Sequence, residues 1–212
     1  MRFLLVLAAL ALASPALAKT EYLQTDTKAY PVTPGHKVHI EFPVGHLQVE
    51  ANDDDKVRLT ISIKCRNGDS DDCAEWAKRL RLTADDDGKV LRIKLDKYPK
   101  WNTGKNGVEA VLQVPRKLAL HIEMGVGELE IDGMGGELGV ELGVGEASVR
   151  LSKSQIADVL VEVGVGDATI HGTGHNVGSR GWLGRTVHYT DGPGPARVHL
   201  EVGVGEGTVR LD

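Results

Sequence analysis

Four stretches of this chain repeat one pattern: EMGVGELEI (Glu123–Ile131), ELGVGEASVRL (Glu141–Leu151), EVGVGDATI (Glu162–Ile170) and EVGVGEGTVRL (Glu201–Leu211). Aligned on the second glycine of each GxG, the series runs Gly127, Gly145, Gly166, a degenerate RGWLGRTV at Gly184, and Gly205, in steps of 18, 21, 18 and 21 residues. A unit this short cannot bury its own apolar face, but stacked copies can, which is the logic of a solenoid coil.

The alternation inside each unit says what the coil is made of. Before the glycines the apolar residues keep one parity, as in Val140, Leu142 and Val144, or Val159, Val161, Val163 and Val165, or Val198, Leu200, Val202 and Val204. After them the parity changes, to Ala147, Val149 and Leu151, to Ala168 and Ile170, and to Val209 and Leu211. Period two is a half-buried strand, and a one-residue phase change is what a bulge or bend supplies while apolar side chains stay inward. Each GVG[ED] therefore reads as a corner between two strands, with glycine there to tolerate unusual backbone angles and let coils approach.

A variant coil is expected earlier, because HIEFPVGHLQV (His39–Val49) matches HIEMGVGELEI (His121–Ile131) at six of eleven positions. Between the two copies, VRLTISIKC, KVLRIKL and NGVEAVLQVP read as strands, DDDG as a turn, and Asp71 to Leu80 as a short helix capped by Ser70. The expected fold is all-β, a β-solenoid-like stack of 18–21-residue coils with one short helix in the N-terminal half. With VGHLQVE, KRLRL, a DG turn, KVLRIKL, VEAVLQVPRKLALHIEMGVGELEI and the later GxGE coils in that order, the chain from Val32 onward resembles the DUF4097 family of secreted or membrane-tethered bacterial proteins with adhesin-like β-repeat head domains. That resemblance implies a β-solenoid-like fold in the cell envelope and carries no catalytic motif to transfer.

The opening MRFLLVLAALALASPALAKT has one cation, an apolar run and a small-x-small site at Ala16-Leu17-Ala18, the order of a secretory signal peptide cleaved before Lys19. Residues 1–18 are thus the expected signal peptide. Residues 19–212 are the expected single adhesin-like β-repeat domain, irregular over 19–117 and glycine-rich over 118–212. The mature chain has no further apolar run long enough to span a bilayer, so a periplasmic or secreted location is expected. Cys65 and Cys73 read as a disulfide in such an oxidising compartment. A metal site with Asp69, Asp71 and Asp72 would mix soft thiolates with hard carboxylates, with no histidine nearby.

Charge divides the chain. Lys19–Lys117 carries 18 basic and 16 acidic residues, whereas Leu118–Asp212 carries 6 and 14, so nucleic acid is a poor partner for the second half. Outward acids fall into two columns, Glu123, Glu141, Glu162 and Glu201 before the corners, and Glu128, Glu146, Asp167, Arg185 and Glu206 after them. At strand spacing, neighbouring carboxylates would stand about 4.8 Å apart. Solvation, an interleaved cation such as Arg185, or a bound metal would relieve the repulsion, and Glu128, Glu146, Asp167 and Glu206 are the candidate calcium ligands. The known calcium coil has a nine-residue period, and solvated edge charge is the plainer reading.

Trp182 and Arg185 in the degenerate coil are the ligand-binding candidates, since an aromatic face beside a guanidinium suits a sugar or a carboxylate. No catalytic motif and no cofactor signature is present. Acids repeated in near-identical settings also argue against a divided acid and base. The expected function is a non-catalytic envelope or secreted module for binding or scaffolding, its partner an envelope protein or glycan. A carbohydrate-active enzyme on a β-helix and a cation-dependent structural protein are the alternatives. The last strand, Gly207–Leu211, is expected to leave an open edge for self-association.

Overall fold

A computed structural model describes residues 21–65, 70–97, 106–174, 177–179 and 183–212. The expected signal peptide and Trp182 lie outside them. The strands are β1 (Glu21–Pro31), β2 (Lys37–Asn52), β3 (Lys56–Cys65), β4 (Arg81–Asp86), β5 (Val90–Asp96), β6 (Asn106–Pro115), β7 (Ala119–Asp132), β8 (Leu138–Leu151), β9 (Ile156–His171), β10 (Val177–Ser179), β11 (Arg185–Tyr189) and β12 (Ala196–Leu211). One α-helix, α1, spans Ser70–Arg79. The all-β reading holds, in a single large sheet that does not close into a barrel.

Five long strands, β2, β7, β8, β12 and β9, lie side by side in parallel register, and each turns the glycine corner. Fourteen extended residues such as β7 would span roughly 46 Å, whereas the five residues joining β7 to β8 reach at most about 18 Å. The strand must therefore double back on itself, which the corner allows. The outer strands confirm the fold-over: β5 pairs with β2 only before the corner, over Lys37–Glu41, and β6 only after it, over His46–Asn52. At the far end, β11 pairs with β9 before its corner and β10 after it. One sheet thus becomes two layers joined along a ridge, with β4 extending one layer beyond β5, and β3 then β1 extending the other beyond β6.

Both layers turn their alternate apolar residues inward, from Val38, Ile40 and Phe42 to Leu47 and Val49 on β2, and likewise on each later corner strand. Met134, in the connection between β7 and β8, is 1% exposed and belongs to the same core. Burial at i, i+3 and i+4 (Cys73, Trp76, Ala77) gives α1 its apolar stripe, and Lys78 and Arg79 sit where the helix dipole favours cations. A disulfide joins Cys73 to Cys65 at the end of β3, as expected, and α1 rests on β1 and β3.

Three expectations are corrected. The last valine before each corner faces outward: Val126, Val144, Val165 and Val204 are 45, 45, 40 and 47% exposed. The phase change is spread over all three GVG residues, between inward Met124 and Leu129, and the valine caps the ridge. Gly184 marks no coil corner, because Arg185–Tyr189 runs antiparallel to β9 and the Gly184 N–H donates to the Gly164 carbonyl at 2.8 Å. Finally, β12 is not an edge: it is inserted between β8 and β9, so Gly207–Arg210 has strand neighbours on both sides and Leu211 pairs with Leu151.

Candidate functional site

Parallel in-register pairing has a direct chemical consequence, since equal positions of successive repeats must stand beside one another. The corner glycines form the column Gly45, Gly127, Gly145, Gly205, Gly166, all with φ between +134° and +144°. A Cβ on Gly145 would overlap the carbonyl oxygen of Gly127, so the column needs glycine for space as well as for backbone angle. Just before it runs a second column, Pro43, Gly125, Gly143, Gly203, Gly164, where each glycine lets its backbone pass close under the next strand's carbonyl.

On the same outer face, two residues further back, the acids form the row Glu41, Glu123, Glu141, Glu201, Glu162. Lys94 of β5 begins the row and Thr186 of β11 ends it. Lys94 Nζ lies 2.6 Å from Glu41 Oε2, and that hydrogen bond, aided by the charges of Glu41 and Asp96, raises the lysine pKa above its ordinary value. The bare glycine and proline backbone beside this row forms the floor of an open trough of about 630 Å³, with carboxylates of Glu41, Glu123, Glu141 and Glu201 along it and Lys94, Asp96 and Lys97 at one end.

Histidines make up the next row, His39, His121, Gly139, His199, Leu160, His188, with Arg92 opposite His39. They reach diagonally to the acids. His39 Nε2 is 3.0 Å from Glu123 Oε1, His121 Nε2 is 3.6 Å from Glu123 Oε1 and 3.7 Å from Glu141 Oε1, and His199 Nε2 is 2.9 Å from Glu162 Oε2. Imidazoles therefore stand interleaved with the acid row. The threefold H-x-E at His39–Glu41, His121–Glu123 and His199–Glu201 is the sequence signal of this pairing.

The second acid column assembles as His46, Glu128, Glu146, Glu206, Asp167, all four acids exposed, with His46 Nδ1 3.5 Å from Glu128 Oε2. Arg185 is not in it: this residue stands opposite Val163, before the corner of β9, and is half-buried. Among the described residues, one group brings three ligand atoms within 4.8 Å of one another, His39, His121 and Glu123, and it lies in the other layer.

Comparison with known proteins gives the family and the fold. Residues 32–171 match the family model described as the N-terminal domain of toast_rack, DUF2154. A crystal structure of a putative cell adhesion protein from Clostridium sporogenes aligns with a TM-score of 0.54 and 17% identity, covering 89% of this chain and 100% of that one. A putative adhesin from Bacteroides fragilis aligns with a TM-score of 0.27 and 11% identity over 90% and 98% of the two chains. No curated protein matches.

Proposed function

The chain belongs to the family of toast_rack N-terminal domains, and we propose that it serves as a non-catalytic, adhesin-like module of the cell envelope or secreted space, binding or scaffolding through the outer face before the corners. The observation that carries this reading is the set of in-register rows: five adjacent strands present the same residue types side by side, beside a shallow open trough. Such a surface suits an extended partner, an envelope protein or a glycan, lying across the strands and contacting several equivalent positions at once. Five carboxylates against two lysines on the trough favour a partner that brings positive charge or a line of hydroxyls.

The acids of the row are all partly or fully exposed on the same face, whereas a catalytic acid and base are set apart by surroundings that differ in burial. No helix among the described residues is long and apolar enough to cross a membrane. The test is capture of envelope proteins and glycans by the mature protein, compared with Glu141→Lys/Glu201→Lys in the trough and, separately, with Trp182→Ala. Loss of a captured partner with the double lysine variant supports the trough. Undiminished capture by that variant, or turnover of an envelope polysaccharide, overturns the reading.

A further inference from the structure

We propose that His39, His121 and Glu123 form a binding site for a divalent transition ion of the Zn²⁺ class. Two imidazole nitrogens and one carboxylate oxygen are a borderline donor set, suited to zinc and unlike the all-oxygen shells that calcium and magnesium take. The three ligands come from adjacent strands in one register: His39 on β2 pairs with His121 on β7, and Glu123 is two residues on, on the same face.

The two edges to Glu123 fit a shared ion, and all three ligand atoms lie within 4.8 Å of one another. Ligands about 2.0–2.1 Å from a tetrahedral zinc stand about 3.3 Å from one another. Glu123 Oε1 lies 3.0 Å from His39 Nε2 and 3.6 Å from His121 Nε2, bracketing that edge. Glu141 Oε1, 3.7 Å from His121 Nε2, stands where it can supply a fourth ligand or hold a water in that place.

Two further observations bear on this cluster. His39 Nε2 is buried and, although 3.0 Å from a carboxylate oxygen, makes no hydrogen bond. A ring nitrogen close to a carboxylate oxygen but not bonded to it keeps its lone pair available to an ion that both can share. Gly139, next in the histidine row, supplies the second observation. A Cβ there would come within 2.7 Å of His121 Nδ1, so the missing side chain is what seats the imidazole against β8 and beside Glu141. The cations paired in register with this site are already engaged, Lys94 with Glu41 and Arg92 with Asp87 at 3.0 Å. The acid row therefore keeps an excess of negative charge beside the cluster.

This inference does not rest on the adhesin-like reading, and zinc alone is the probe. Calorimetric titration of the mature protein with ZnCl₂ should give one ion per chain, and a hundredfold excess over Kd should raise Tm by about 5 °C or more. Calcium and magnesium should leave Tm unchanged. His39→Ala, His121→Ala and Glu123→Gln should each weaken zinc binding at least about tenfold, with far-ultraviolet circular dichroism unaltered. His199→Ala, in the same row but bonded to Glu162, should bind like the parent. Cobalt(II) added to the parent should give visible ligand-field absorption that His39→Ala lacks. Absence of a one-to-one zinc event, equal loss in His199→Ala, or cobalt spectra indifferent to His39→Ala would overturn the site.

Discussion

The five corner strands and the strands that flank them follow different pairing rules. Corner strands pair in parallel and in register, so glutamate meets glutamate, glycine meets glycine and valine meets valine. Most flanking pairs are antiparallel, and there neighbours are matched one by one: Lys64 pairs with Glu109, Thr25 Oγ1 meets Ser62 Oγ at 3.2 Å, and Arg92 reaches Asp87. A repeated sequence in parallel register concentrates one chemistry into a row, which makes a surface feature but also a shared vulnerability. A flank spreads its interactions over local pairs and belongs to one layer only.

Glycine substitution tests that contrast most strongly. Gly145→Ala must relieve both an overlap with the Gly127 carbonyl and a φ of +144°, so urea unfolding should show a loss of about 3 kcal/mol or more. Gly88→Ala, in the turn between β4 and β5 at φ +82° with open space around the would-be Cβ, should cost about 1 kcal/mol. Equal losses would mean that backbone angle alone, and not the close column, fixes the corner.

A smaller effect is expected from the flank's covalent link. Replacing Cys65 and Cys73 with alanine frees a loop of sequence separation 8 and should cost about 2.5 kcal/mol. Hydrogen exchange should show the lost protection confined to α1 and β3. Loss that spreads into β8 and β12 would show that corner and flank unfold as one unit.

The smallest effect concerns one exposed pair in the flank. The Val90 N–H, then the Arg92 side chain, then the Lys89 N–H hold the Asp87 pKa down from 3.8 to about 2. A depressed carboxylate pKa stabilises the fold above the unfolded value and ceases to do so as pH falls through the folded one. Asp87→Ala should therefore lower Tm slightly at pH 7, and the difference should fade between about pH 4 and pH 2. A difference undiminished at pH 2 would place the effect in the turn geometry, not in the charge.

Much of this could be read from the residues. The parity change across GVG marked the corners, alternation marked β3, β5 and β6, and the Cys65–Cys73 spacing marked the disulfide. β1 was missed because EYLQTDTKAYP has few apolar residues to alternate, and from Thr25 onward it is largely exposed. The outward valines were missed because parity counting assigns a bend to one residue, whereas the chain spreads it over three.

The repeat determined the coil and the like-with-like rows, because an apolar face too small to close alone must stack, and an equal repeat stacks in register. Tertiary structure decided the order of the coils. Near-identical edges would accept β12 on either side of β9, but β10 and β11 already cover one edge of β9 in the two layers. The last strand therefore enters on the other, against β8. The same placement puts His199 beside Gly139 and away from His121. Histidines 82 residues apart in the chain, His39 and His121, instead come together with Glu123, a proximity that only strand pairing creates.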